Sequence, residues 1–169
     1  IQADKNLSTE QQVSTLSYYL IENYDTPALQ DINVRQALNY ATNKESIVND
    51  LLDGYGNPAT GLMSPTVPYV TEENSKGYPY DPDKAKELLK EAGYPDGFTT
   101  TLMYSNTTAN QKKAEFYKQQ LSEVGIDLEL NGMENAVLNE KVQGADCAGA
   151  DAEVDCYLSG WSTSTGDAD

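Results

Sequence analysis

Apolar residues recur at helical spacing in several stretches, each bounded by capping residues. The clearest stretch, DPDKAKELLKEAGY, opens with Asp81 as a typical N-cap and Pro82 at the first helical position, and it stops at Gly93. The stretch DINVRQALNYAT begins with Asp31 as N-cap and carries an apolar stripe at i, i+3, i+4 and i+7, formed by Val34, Ala37, Leu38 and Ala41. Both patterns predict helices that bury one face.

Three more helices follow from the same reasoning. In NKESIVNDLLDG, Asn43 is the predicted cap and Gly54 the stop, and the inward positions are Ile47, Val48, Leu51 and Leu52. The stretch NQKKAEFYKQQLSEVG predicts a helix that ends at Gly125, with Ala114, Tyr117, Leu121 and Val124 inward. The last helix is predicted over 135–143.

Four β-prone runs lie among these helices and predict strands. They are TLSYYLIENY (15–24), FTTTLMYS (98–105), IDLELNG (126–132) and VDCYLSGW (154–161). The second and third runs flank one helix with short connections, so we expect them to be parallel with a right-handed crossover. The run 154–161 is apolar enough to be a central strand. The 169 residues therefore predict a single α/β domain, a central β-sheet with flanking helices.

Two segments lack this periodicity. Residues 55–80 are rich in Gly, Pro and Tyr, and their apolar content predicts an ordered loop laid across the domain, packed on its own body or lining a ligand. Residues 1–12 are expected to be a flexible start. They read IQADKNLSTEQQ and lack the basic and apolar regions of a signal peptide, so we expect the start to be internal.

The chain's last residues, SGWSTSTGDAD, begin in the predicted central strand and continue past its carboxyl end. Open α/β sheets bind ligands at that edge, so this turn is the predicted binding site. The candidate ligand-binding residues are Trp161, Ser162, Thr163, Ser164, Thr165 and Asp167. Alternatives remain open: Trp161 as an ordinary core or rim aromatic, Asp167 as a helix cap or turn residue, and the hydroxyl residues as loop solvation.

Charge narrows the range of partners. The net charge is −16, which disfavours nucleic acid and anionic membrane surfaces, and no run is long enough for membrane insertion. No Lys or Arg follows Val142, and that acidic stretch is either a solubilising surface or a rim that attracts cationic ligand groups.

Histidine is absent, so Ser-His-Asp and Cys-His catalysis are excluded and the commonest transition-metal ligand is missing. Cys147 and Cys156 have neither CxxC nor zinc spacing, and they are either a disulfide pair or two unrelated thiols. We expect no catalytic residue, no metal site and no cofactor.

Several blocks together resemble a known family. In order they are DINVRQALNYATNKESIV, GYGNPATGLMSP, YPYDPDKAKELLKEAGYPDGF, QQLSEVGIDLEL and SGWSTSTGDAD. They resemble the extracellular solute-binding proteins of peptide-type ABC transporters, which bind oligopeptides, dipeptides, nickel or glutathione. The resemblance implies a type II periplasmic-binding-protein-like fold, with this chain as the second lobe (lobe II) of a longer two-lobed parent.

That resemblance also implies partners and a place of action. The expected partners are a small peptide ligand, the remaining lobe of the parent chain and the permease subunits. The expected location is extracytoplasmic, either free in a periplasm or as a cell-surface lipoprotein. In the family's dipeptide binders the turn reads GWxxDxGDPD, and its first Asp pairs with the ligand ammonium. Here that position is Ser164, and the form GWSTSTGDAD is similar to the glutathione-binding branch. Arg35 also matches a family arginine and is expected to be structural.

Other functions stay open at this stage. A nickel- or haem-binding member of the same family is the principal alternative. A structural or adhesion module is suggested only by the carboxylates of 146–155, whose spacing fits no EF-hand loop. A hydrolase based on Ser162 and Asp167 lacks any motif that would position a base.

Overall fold

A mixed four-stranded sheet forms the centre of the described chain. The computed structural model describes residues 8, 10, 12–144 and 153–163, and the sheet order is β1-β4-β2-β3. The strands are β1 (Ser17–Glu22), β2 (Phe98–Ser105), β3 (Ile126–Met133) and β4 (Cys156–Trp161). The parallel β2–β3 pair is confirmed, and β4 is central as predicted, parallel to β2 and antiparallel to β1.

Helices cover both faces of this sheet. They are α1 (Ile32–Ala41), α2 (Lys44–Ser46), α3 (Pro82–Glu91), α4 (Thr108–Ser122) and α5 (Asn135–Gln143), with a 3-10 turn at Pro27–Gln30. The three predicted N-caps are confirmed, because the side chains of Asp31, Asn43 and Asp81 accept hydrogen bonds from backbone N–H groups of the first helical turn.

The larger core lies between one sheet face and helices α1, α3 and α4. Its fully buried members include Leu102 in β2 and Leu128 in β3, together with the predicted stripe residues Ala37 and Leu89. A smaller cluster on the other face joins Met103 to residues of α5 and β4. Strand alternation explains this division, since successive side chains of one strand point to opposite faces.

The prediction of a regular helix in NKESIVNDLLDG was wrong in its second half. Helix α2 covers only Lys44–Ser46 and continues as a π-helical turn over Ile47–Leu51, in which the Leu52 N–H donates to the Ile47 carbonyl. A π-helical turn needs one more residue than an α-helical turn, so the assumed 3.6-residue spacing fails here. Val48 is buried, while Ile47, Leu51 and Leu52 are half-buried.

Residues 55–80 contain neither helix nor strand, yet side chains tie this loop to the domain. Val67 is 2% exposed, and the Ser64 hydroxyl donates to the Ser14 carbonyl at 2.9 Å. Near the end of the loop, the Lys44 ammonium donates to the Tyr78 carbonyl, and the Tyr78 ring lies edge-on against Tyr40. Of the expected flexible start, residues 1–7, 9 and 11 lie outside the described residues.

None of the helices in the described residues has the length and apolar character needed to cross a membrane.

Candidate ligand-binding site

The carboxyl ends of β2, β3 and β4 meet at one edge of the sheet. Ser105 and Met133 are register partners at the ends of β2 and β3. Because Met103 pairs with Tyr157, β4 continues past the end of β2 by two residues, to Trp161. The antiparallel β1 adds its amino end, with Ser17 opposite Trp161. Trp161, the first residue of the predicted site, therefore lies at the edge where α/β folds bind ligands.

The first three candidate residues are described, and each has a different environment. Trp161 is 38% exposed, Ser162 is exposed, and Thr163 is buried at 9%. Trp161 thus presents apolar surface at the edge, whereas the Thr163 side chain is turned away from solvent. Ser164, Thr165 and Asp167 lie outside the described residues, and their contribution stays a prediction.

A carboxylate fixes the opposite end of β4. Asp155 accepts hydrogen bonds from the Thr26 hydroxyl at 3.0 Å, the Thr100 hydroxyl at 3.1 Å and the Thr101 N–H at 2.9 Å. The Asn23 side chain adds a bond to the Val154 carbonyl at 2.8 Å. These contacts tie the start of β4 to β2 and to the segment after β1, so they hold the strand that delivers Trp161 to the edge.

Cys156, the first residue of β4, is a buried thiol of low reactivity. It is 1% exposed and is a free thiol among the described residues, and burial raises the pKa of that thiol. Cys147 lies outside the described residues, so the predicted pairing of the two cysteines stays a prediction. Arg35 has structural contacts: its guanidinium donates to the carbonyls of Leu29 and Gln30 at 2.7 and 2.9 Å.

Helix α4 contributes polar groups that the sequence reasoning missed. The Asn110 amide donates to the Ser105 hydroxyl at 3.2 Å, which joins the first turn of α4 to the end of β2. The Lys113 ammonium lies 3.6 Å from the centroid of the Tyr18 ring. The predicted end of β2 at Ser105 was an available signal, because parallel strands end at a common edge and the next helix starts there.

An open cleft of about 1590 Å³ extends from this edge. Its walls come from β1, β4, α4, α5 and the loop 55–80, and they include Ser159 and Gly160 at the end of β4. Trp161, Ser162 and Thr163 do not line the cleft, whereas Lys113 does. The structure therefore does not place these three residues and Lys113 in one cavity. Small-molecule sites are typically enclosed and of about 300–1,000 Å³. This cleft is larger and open, as expected for one wall of a site.

In the described part of the chain, no three His, Cys, Asp or Glu side chains cluster in a way that could hold a metal ion.

Comparison with known proteins identifies the family. The family model of the bacterial extracellular solute-binding proteins, family 5 middle region, matches residues 1–169. The chain belongs to this family. The glutathione-binding protein GsiB of Salmonella choleraesuis is 40% identical over 167 residues, 98% of this chain, and GsiB of Escherichia coli K12 is 39% identical over 170 residues. The chain spans 32% of the length of each of these curated relatives.

Solved structures of solute-binding proteins share the fold. The periplasmic binding protein DppA of Helicobacter pylori, in complex with the peptide STSA, superposes with a TM-score of 0.73 at 32% identity, covering 89% of this chain and 28% of that one. The oligopeptide-binding protein AppA of Bacillus subtilis, in complex with a nonapeptide, gives 0.78 at 26% identity, covering 91% and 32%. The α/β architecture predicted from the sequence is therefore that of one part of a type II periplasmic binding protein.

Proposed function

We propose that this chain is lobe II of the substrate-binding component of an ABC importer that captures small peptides, with glutathione as the leading ligand. The observation that carries the proposal is the 40% identity to a glutathione-binding protein across 98% of the chain. The H. pylori relative, 32% identical, was solved with a bound peptide. The open cleft supports the same view, because its exposed side leaves room for a second lobe to close over a ligand.

The mechanism follows from differential affinity. A ligand that touches both lobes binds the closed state more tightly than the open state, and it therefore shifts the population toward closure. In this lobe the hydroxyls and N–H groups around 161–167 hold polar ligand ends, and Trp161 supplies an apolar wall. The closed protein then docks on permease subunits outside the cytoplasm, from a periplasm or as a surface lipoprotein. It binds without catalysing a reaction.

The position of Ser164 supports glutathione over an ordinary dipeptide. By resemblance, dipeptide binders place an aspartate there for the ligand ammonium. A hydroxyl at that position still accepts a hydrogen bond from the ammonium, but the ion pair with a carboxylate is lost. Substituting Ser164→Asp in the full-length protein should therefore improve the binding of free dipeptides. Ser122→Asp, at the exposed end of α4 and outside the cleft, serves as the matched control.

Calorimetry and thermal unfolding of the full-length protein test the proposal. The ligands are glutathione, the peptide STSA, nickel and haem. A ligand at 100 times its Kd should add about 2.7 kcal/mol to the free energy of unfolding. Stabilisation by glutathione is the expected result. Stabilisation by nickel or haem alone would overturn the peptide assignment. The 169-residue chain alone should bind glutathione more weakly than millimolar, and tighter binding would contradict a site shared between two lobes.

A further inference from the structure

Lys113 differs from the other half-buried lysines of the described residues. The ammonium groups of the others all reach an oxygen atom: Lys44 the Tyr78 carbonyl, Lys84 Glu87, Lys118 Asp127, and Lys141 Glu153. Within the described ranges, Lys113 makes neither a hydrogen bond nor an ion pair, and its partner is the face of the Tyr18 ring. An ammonium has three donors, and no oxygen atom of another described residue accepts a hydrogen bond from those of Lys113.

The position of this cation connects it to the sheet edge. Tyr18 lies in β1 and pairs with Gly160, the residue before Trp161. A Cβ atom at Gly160 would lie 3.0 Å from the Tyr18 ring, so the glycine leaves room for that ring beside β4. Lys113, on the second turn of α4, places its ammonium over the same ring. Its ammonium therefore stands at the cleft wall, beside the strand that carries the predicted turn.

Charge at the cleft differs from charge over the chain. The chain has 27 acidic and 11 basic residues, yet the described residues that line the cleft include three lysines and two glutamates. The lysines are Lys44, Lys76 and Lys113. Partial burial lowers the pKa of Lys113, because its surroundings solvate the ammonium less well than water does. An anion placed beside this ammonium would offset that loss of solvation, whereas the ring offers only a weak attraction.

We propose that the Lys113 ammonium, held over the Tyr18 ring, is an anchor for a carboxylate of the bound peptide. This inference rests on the proposed peptide-binding function and assigns the chemistry of one ligand group within it. Tyr18 is a positioning residue, since its ring fixes the direction of the lysine side chain and offers no competing anion.

Binding measurements on the full-length protein test the anchor. Lys113→Met keeps most of the side-chain volume and removes the charge, whereas Lys113→Arg keeps the charge. Lys112→Met is the matched control, because Lys112 is the exposed neighbour on α4 and does not line the cleft. Lys113→Met should weaken glutathione binding by about 10- to 100-fold, the worth of one hydrogen bond to a charged group. Lys113→Arg should retain most of the affinity, and Lys112→Met should stay close to wild type.

Ligand variants identify the carboxylate. The panel contains glutathione, glutathione esterified with ethanol at its glycine carboxylate, and an analogue that lacks the free α-carboxylate of the γ-glutamyl residue. It also contains STSA with a free or an amidated carboxyl end. Wild type should lose 10- to 100-fold in affinity when the anchored carboxylate is removed, and Lys113→Met should lose nothing further. Rising salt should weaken carboxylate binding in wild type more than in the variant.

The outcomes separate this inference from the proposed function. If wild type binds glutathione or STSA and Lys113→Met binds equally well, the anchor is wrong and the transport function stands; pairing of Lys113 with an acidic residue of its own chain would give this result. Equal losses on carboxylate removal in wild type and variant would also overturn the anchor. If wild type binds neither peptide, the proposed function itself fails.

Discussion

Glu22 should make the folded chain less stable as the pH rises, because its carboxyl group is largely buried. It is the last residue of β1 and the register partner of the buried Cys156, at the margin of the main core. Burial raises the pKa of Glu22 to about 7, and the nearby Arg35 guanidinium opposes part of that rise. The native state therefore favours the neutral acid.

The sign of the effect follows from the two pKa values. The pKa of the unfolded chain is near 4.5 and that of the folded chain about 7, so between these values the folded state binds more protons. The contribution of Glu22 to stability is fully present below pH 4.5 and is lost as pH rises through 7. The loss is at most about 3 kcal/mol, from 1.36 kcal/mol for each pKa unit.

Glu22→Gln removes the ionisation and keeps the shape. At pH 8 the variant should be more stable than wild type by about 1–3 kcal/mol, and at pH 4.5 the two should agree within about 0.5 kcal/mol. Urea unfolding followed by circular dichroism at pH 4.5, 6 and 8 measures this difference. Glu129→Gln, at an exposed position of β3, controls for the change in net charge. A difference that does not change with pH would refute the reasoning, and a variant less stable at pH 8 would mean that the attraction to Arg35 outweighs burial.

Two further predictions concern contacts that hold β4 and the turn before β2. Asp155→Ala should lower the free energy of unfolding by about 3 kcal/mol, because the buried Thr100 hydroxyl and the Thr101 N–H lose their acceptor; a loss below 1 kcal/mol in urea unfolding would contradict this. Gly97→Ala should lower the free energy of unfolding by more than about 3 kcal/mol, because the new Cβ would lie 1.8 Å from the Gly125 carbonyl oxygen and φ at this residue is +79°. Gly93→Ala is the comparison, since Gly93 has a similar φ of +89° but no atom within 4 Å of the new Cβ. It should lower the free energy of unfolding by about 1–2 kcal/mol in the same assay.

Local signals made much of the fold predictable. A cap such as Asp81 followed by Pro82 depends only on neighbouring residues, and the structure starts α3 at that proline. The second half of NKESIVNDLLDG could not be predicted in the same way. Its apolar residues satisfy an α-helical spacing, yet the structure forms a π-helical turn in which Val48 is buried, and the local pattern does not distinguish the two kinds of turn.

The candidate site likewise contains one feature that the sequence predicts and one that it does not. The position of Trp161 at the sheet edge was predictable, because this residue ends a central strand and strand ends are visible in the sequence. Its role in ligand binding stays a prediction. The Lys113–Tyr18 contact was not predictable, since it joins α4 to β1, residues 95 positions apart whose proximity depends on the sheet order. The antiparallel pairing of β1 with β4 explains why Tyr18 lies close to α4. It brings the amino end of β1, and with it Tyr18, to the edge where β2, β3 and β4 end.

The acidic surface and the ammonium of Lys113 have opposite effects on an anionic ligand group. A chain of net charge −16 repels a carboxylate at long range, but at 0.1 M salt that repulsion is screened beyond about 10 Å. Within that distance, and among the described residues, Lys113 is the half-buried ammonium at the cleft that lacks an oxygen partner. A carboxylate bound at the proposed anchor therefore gains an attraction that offsets the repulsion from the acidic surface.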